Sequence, residues 1–210
     1  MGKARRQGRT LNSCARALRF GRAYFRRYYL DRKTRVVSPE EMRTKAAVIA
    51  SILRQSQIPV RRILDAGCGI GLLRAPFAAL LPRARYSGLE QSVYLCAKYG
   101  WIQGSVADHA PRKPYDLVVC YDVLQYLGDR EAGRAIANFA RLTRAALYVS
   151  ALTREDWRDN CDRTRTDRAV HLRAGAWYRR RLRRHFRYLG FGVWVRKNVT
   201  AILWELEKNR

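Results

Sequence analysis

The chain has 210 residues, nearly half of them apolar, and a formal charge of +26 at neutral pH. That composition excludes a disordered chain, and no run approaches the ~18 to 20 apolar residues that span a bilayer. The five cysteines (Cys14, Cys68, Cys96, Cys120, Cys161) are odd in number and widely spaced. They point to reduced thiols and a cytoplasmic setting, with neither a disulfide framework nor a zinc site. The charge has two readings. Either an anionic partner such as RNA, a membrane surface or an acidic substrate is bound, or the arginines, 36 of the 43 basic residues, are a compositional bias solvated on outer faces.

Residues 1–30 contain no acidic residue. Leu11, Cys14, Ala15, Leu18, Phe25 and Tyr29 recur at helical spacing and predict an amphipathic basic helix interrupted at Gly21. An apolar core of the secretory type is missing, and serine is scarce for an organellar transit segment. Ser38-Pro39-Glu40-Glu41 is a helix start, with a serine cap, a proline in the first turn and a glutamate three residues on. The helix carries Met42, Ala46, Ile49 and Leu53 on one face and closes before Pro59.

Ile63-Leu64 then runs into Asp65 and into glycines at 67, 69 and 71. This is a buried strand ending in a tight turn that opens a helix, here Gly71 to Leu81. Glycines let backbone approach a ligand closely. The third glycine falls one position too early for G-x-G-x-x-G, and no Lys-Ser/Thr pair completes a phosphate loop. Strands follow over Ala84 to Glu90, Trp101 to Gly104, Tyr115 to Cys120 and Ala145 to Ala151, with helices Gln91 to Tyr99 and Arg130 to Leu142 between them. Thr153 to Leu172 is polar and unpatterned, a long connection of the kind that carries function. A helix over Ala176 to Leu189 and two strands, Phe191 to Val195 and Val199 to Leu206, about a Lys197-Asn198 turn close the chain. Alternating strands and helices predict a doubly wound, mostly parallel sheet, α/β in class.

In such sheets ligands sit beyond the carboxyl ends of the strands. Asp65 ends strand one, and Glu90 ends strand two, where a carboxylate is placed to accept from ribose hydroxyls. Ser105 and Val106 follow strand three, and Tyr121-Asp122 follows strand four. D-x-G-x-G-x-G after an apolar strand, Glu90 and the closing hairpin together resemble the class I S-adenosylmethionine-dependent methyltransferases over about residues 40–206. The resemblance implies a seven-stranded Rossmann-like sheet with an antiparallel C-terminal strand, and S-adenosylmethionine as cofactor. Carried over by position, Asp65, Gly67, Cys68, Gly69 and Gly71 border the methionine portion, Cys68 as a small filler. Glu90 holds the ribose and Gln91 packs beside the adenine. Ser105 stands where the family often has an acidic residue, with Asp108 as the alternative, and Val106 lies beside it. Tyr121 lines the sulfonium end. Each has a structural rival: Asp65 as a helix cap, Glu90 as a solvated strand end, Tyr121 and Tyr126 as ordinary half-buried aromatics.

On this reading residues 1–37 are a basic helical segment or lid, 38–210 the methyltransferase domain, and 153–175 an acceptor-side insertion. Candidates for the acceptor side are Tyr28, Tyr29, Trp157, Asp162, Arg165, Asp167, Trp177 and Tyr178. His171, Tyr121 and Tyr126 are the candidates for catalysis, His171 as the base where the acceptor needs one. The expected acceptor is a small, possibly anionic molecule recognised through arginine. The alternative is an RNA methyltransferase using the basic surface, although C-Y-D-V-L-Q-Y-L lacks the N/D/S-P-P-aromatic string of the base amino methylators. A non-catalytic scaffold is the third reading. No metal is expected, and oligomeric state is not legible.

Overall fold

A computed structural model of the chain describes residues 19–207. Its strands are β1 (Arg62–Ala66), β2 (Arg85–Glu90), β3 (Ile102–Gln103), β4 (Tyr115–Tyr121), β5 (Thr143–Ser150), β6 (Phe186–Gly190) and β7 (Val193–Arg196). They form one sheet in the order β3-β2-β1-β4-β5-β7-β6. The first five strands pair in parallel, and β7 runs antiparallel to both of its neighbours. The seven-stranded, mostly parallel sheet expected from the sequence is the one observed, with β7 as its antiparallel strand.

The helices are α1 (Arg22–Phe25), which passes into a π-helical turn over Arg26–Leu30, then α2 (Pro39–Gln55), α3 (Arg74–Leu80), α4 (Val93–Tyr99), α5 (Asp129–Leu142), α6 (Arg154–Asp159) and α7 (Gly175–Leu182). Ser38 caps α2 by accepting from the Glu41 N–H at 3.0 Å. The strands alternate between two cores, one on each face of the sheet. Leu64, Ala66, Val118 and Cys120 pack with α5 and α7, whereas Ile63, Leu117 and Val119 pack with α2 and α3. Strands covered on both faces read as nearly continuous apolar runs, here Ile63-Leu64 and Leu117 to Cys120. A third, smaller cluster joins Phe20, Phe25 and Leu95 with Tyr24, Tyr29, Trp101 and Tyr126. It fastens the first described segment across the sheet's carboxyl edge.

Four expectations need correction. The terminal hairpin turns at Gly190-Phe191-Gly192, not at Lys197-Asn198. All three residues take positive φ, at 125°, 46° and 80°, and the two flanking glycines supply that conformation most cheaply. The helix expected to reach Leu189 stops at Leu182. Beyond it Phe186 is buried, Arg187 exposed and Tyr188 partly buried, which is the alternation of a strand. Residues 199–206 therefore form no strand, and a 3₁₀ turn, Glu205–Glu207, lies there instead. Helix α3 also begins at Arg74 rather than Gly71, because Gly67, Gly69 and Gly71 all hold positive φ and keep the chain in a loop. Leu11, Cys14, Ala15 and Leu18 of the expected N-terminal helix lie outside the described residues. Among the described residues no helix is long and apolar enough to cross a membrane.

Candidate active site

The glycine loop is tied to β2 before any ligand is considered. The N–H groups of Gly67 and Cys68 donate to the Leu89 carbonyl at 2.7 and 3.2 Å. The next residue, Glu90, is 8 % exposed. One of its carboxylate oxygens accepts from the Gly69 N–H at 2.9 Å, and the other accepts from the Gln91 and Ser92 N–H groups at 2.8 and 3.0 Å. Glu90 is thus an organising residue and not a solvated strand end. Three of about four acceptor positions on a carboxylate are filled by backbone, which leaves room for a ligand donor.

Asp65 does not cap a helix. It is 3 % exposed and accepts from the Tyr86 hydroxyl at 2.5 Å. Burial pushes its pKa up to about 7, the Tyr86 bond opposes the rise, and the Glu90 charge adds to it. Burial also pushes the Cys68 thiol up, so this cysteine is an inert filler. Trp101 seals the loop from the outer side by donating from its indole N–H to the Gly69 carbonyl at 3.0 Å.

Two clefts meet above this floor. The first lies between the loop and the N-terminal segment and has a cavity volume of about 60 Å³. Gly67, Gly69, Glu90, Gln91, Ser105 and Val106 line it, with Phe20, Tyr24 and Tyr29 as the roof. A Cβ added at Gly69 would stand 3.5 Å from the Tyr29 ring, inside this space. The second is larger, about 290 Å³, and Tyr28, Arg35, Gln125, Asp162, Arg165 and Asp167 are among its walls. Tyr24, Tyr29, Asp122 and Tyr126 line both. The roof is fastened on both sides: the Ser92 hydroxyl donates to the Phe20 carbonyl at 2.5 Å, and Arg19 pairs with Asp167 at 2.6 Å. The Tyr24 and Tyr126 hydroxyls lie 3.0 Å apart.

Several sequence candidates stand elsewhere. His171 is exposed and lines neither cleft; its backbone N–H, not its imidazole, serves the site, donating to the Gln125 carbonyl at 2.7 Å. Trp177 lies under Arg181, 3.7 Å from its ring centroid, and Tyr178 is a buried partner of Arg173 at 3.1 Å. Trp157 lies outside both clefts with Arg163 over its ring. Arg173 explains this grouping. It is 5 % exposed, pairs with Asp129 at 2.7 Å, and donates to the Leu124 carbonyl at 3.0 Å and to that of Leu127. The aromatics of α7 therefore buttress the 3₁₀ turn Leu124–Tyr126 and do not face a ligand. Tyr121 is turned toward α2, donating to Glu41 at 3.0 Å under the Lys45 ammonium. It borders only a smaller cavity that also touches Asp65, Gly67 and Cys68. Burial raises the pKa of Tyr121 and of Tyr126, so both stay protonated and neither is a base. Asp108 pairs with Arg134 at 3.6 Å on the surface and does not enter the cleft.

The sequence reading gave no role to Phe20, Tyr24, Tyr86 or Gln125, and named Asp122 only by its place after strand four. Asp122 and Gln125 were within reach, since they share the string C-Y-D-V-L-Q-Y-L with both tyrosines singled out there. The strand's last residue faces α2, and the turn after it carries the residues that face the ligand side.

Residues 64–145 match the family model of a methyltransferase domain. The fold is also that of solved methyltransferases. Magnesium protoporphyrin IX methyltransferase (ChlM) from Synechocystis, solved with bound S-adenosylmethionine, has a TM-score of 0.63 at 18% identity over 88% of this chain and 97% of that one. DesVI from Streptomyces venezuelae has a TM-score of 0.58 at 18% identity over 74% and 91%. The N-methyltransferase NodS from Bradyrhizobium japonicum, in complex with S-adenosylhomocysteine, has a TM-score of 0.53 at 18% identity over 78% and 90%. No curated protein matches the sequence. The central segment of the chain is a methyltransferase domain, and its architecture is that of the class I methyltransferases. This class takes its methyl group from S-adenosylmethionine.

Proposed function

We propose that this enzyme transfers a methyl group to a small molecule, with the donor in the first cleft and the acceptor in the second. The observation that carries this reading is the junction of the two clefts at Tyr24, Tyr29, Asp122 and Tyr126. The glycine turn admits the donor's amino-acid portion. Glu90 offers its remaining acceptor position to a ribose hydroxyl, with Gln91, Ser105 and Val106 beside the base. S-adenosylmethionine supplies an activated methyl group on a sulfonium. The chain's own part is to align the two reactants and exclude water. The Phe20 to Tyr29 segment serves as the lid, and the 153–175 connection contributes the outer wall. A recessed, tyrosine-walled acceptor cleft favours a small molecule over RNA, which is supported by net charge alone.

Calorimetric titration with S-adenosylhomocysteine tests the donor site. Glu90→Gln turns one oxygen into an NH₂ group facing backbone N–H donors. It is expected to weaken binding by about fivefold to a hundredfold, since an unsatisfied buried polar contact costs about 1–3 kcal/mol. Unchanged affinity would remove Glu90 from the site.

A further inference from the structure

The inner end of the acceptor cleft is lined by groups that accept hydrogen bonds and by aromatic faces, and this selects a chemistry. Gln125 is 4 % exposed and borders the cleft, and its Oε1 has no hydrogen-bond partner. Buried acceptors left unpaired are rare and cost about 1–3 kcal/mol. The Gln125 amide also supports the ionised form of Asp122, as an NH₂ donor does.

Asp122 lies three residues earlier and borders both clefts. Its backbone sits at φ 54°, a conformation that Asp tolerates better than most residues and that concentrates at functional sites. Its N–H donates to the Ser150 carbonyl at 2.9 Å, fixing it to the end of β5. The other two carboxylates of the cleft are already occupied. Asp167 is paired with Arg19, and Asp162 accepts from the Thr164 N–H and hydroxyl at 2.9 and 2.6 Å. That leaves Asp122, whose charge Tyr121 and Gln125 support, and the unpaired Gln125 Oε1, on residues that border the cleft with Tyr24, Tyr28, Tyr29 and Tyr126 and with Arg35 and Arg165.

We propose that the acceptor cleft takes an amine, held as its ammonium ion by Asp122 and the Gln125 Oε1 among these four tyrosines, and methylated on nitrogen. The proposal rests on the donor and acceptor assignment above and adds the substrate class. An ammonium group presents up to three donors and a positive charge, matching two acceptors and a set of aromatic faces that attract cations. A hydroxyl brings one donor and leaves an acceptor unsatisfied. A carboxylate is repelled.

The chemistry balances as follows. An ammonium nitrogen has no free electron pair, so one N–H proton passes to Asp122. The freed pair forms the new N–C bond as the electrons of the donor's S–C bond pass to sulfur, cancelling its positive charge. The product is a methylated ammonium ion, and the proton on Asp122 leaves to water. Burial lifts the Asp122 pKa to about 6, which brings it closer to that of an amine. Of the groups facing it, Lys45 of α2 and Tyr121 of β4 favour its charge and Glu41 of α2 opposes it. Tyr29 of the roof, Tyr126 of the turn and Tyr148 of β5 also feel that charge.

The test uses the full chain saturated with S-adenosylhomocysteine and three probes on one scaffold: benzylammonium, benzyl alcohol and benzoate. Binding is followed through the tyrosine ring signals by NMR. Benzylammonium is expected to bind tightest. Asp122→Asn, which keeps a residue suited to the left-handed backbone, is expected to weaken it by about tenfold or more, the value of a charged hydrogen bond, and to leave benzyl alcohol within about twofold. Benzylammonium that binds no better than the other two, or not at all, overturns the proposal, as does indifference to Asp122→Asn. Failure of S-adenosylhomocysteine itself to bind the wild-type chain overturns the donor-site assignment instead, so the two failures are told apart.

Discussion

Trp101 lies against the glycine loop so closely that a Cβ placed on Gly71 would stand 2.6 Å from its indole ring. The same ring stands 2.6 Å from a Cβ built on Gly88 of β2. A single aromatic side chain thus packs over two glycines, one in the loop and one on β2, while its N–H holds the carbonyl of a third, Gly69. The glycines here make room for protein as much as for ligand.

Gly71→Ala therefore incurs both a collision with a ring held on several sides and an unfavourable φ of 79°. It is expected to destabilise the fold by about 2–4 kcal/mol, the sum of overpacking and left-handed strain. Gly133 in α5 is the contrasting case, because nothing lies within 4 Å of its added Cβ. Gly133→Ala is expected to stabilise by about 0.5–1 kcal/mol through helix propensity. Urea denaturation of the two variants checks the opposite signs.

Asp65 makes stability depend on pH in the reverse of the usual carboxylate sense. Its folded pKa of about 7 lies above the ordinary value of 3.8, so the neutral form is the one the fold favours. Its contribution is fully present below about pH 4 and is lost as pH rises through about 7. Asp65→Asn removes that dependence and retains an oxygen acceptor for Tyr86. The variant is expected to match the wild type near pH 4. At pH 8 it is expected to exceed it by up to about 4 kcal/mol, from about 1.36 kcal/mol per pKa unit. Thermal melts across this range decide it; a variant less stable at pH 8 contradicts the assignment.

Ser92 joins the roof to the floor. Its hydroxyl accepts from the Leu95 N–H at 3.3 Å as the cap of α4 and donates to the Phe20 carbonyl. Ser92→Ala removes both bonds and is expected to cost about 1–2 kcal/mol. It is also expected to speed S-adenosylhomocysteine release severalfold, measured by stopped-flow displacement, and to expose the chain near Phe20 to limited proteolysis. Protection and release rates like those of the wild type would show that the Phe20 carbonyl has found another partner.

How far the sequence led depended on whether a signal was local. The parallel core was legible because strands covered on both faces carry nearly continuous apolar runs, as in Leu117 to Cys120. The Asp65 to Gly71 turn and Glu90 were legible because backbone geometry demands those residue types at that spacing. The terminal hairpin was misplaced because Lys197-Asn198 and Gly190-Phe191-Gly192 are both turn-formers, and only tertiary pairing with β5 decides between them. The aromatic residues of 157–178 were assigned to the acceptor because composition alone cannot separate a ligand wall from a buttress. Arg173, buried among carbonyls of the Leu124–Tyr126 turn, settled that in favour of the buttress for Trp177 and Tyr178.

Tyr24, Tyr29, Asp122 and Tyr126 form a party wall between two chambers. Any shift of these side chains on filling one chamber reshapes the other, so neither occupant is indifferent to its neighbour. By linkage, the factor by which the first occupant alters the affinity of the second equals the factor by which the second alters the first. Order of entry is then a question of rates at the Phe20 to Tyr29 door, and not of which complex is the more stable.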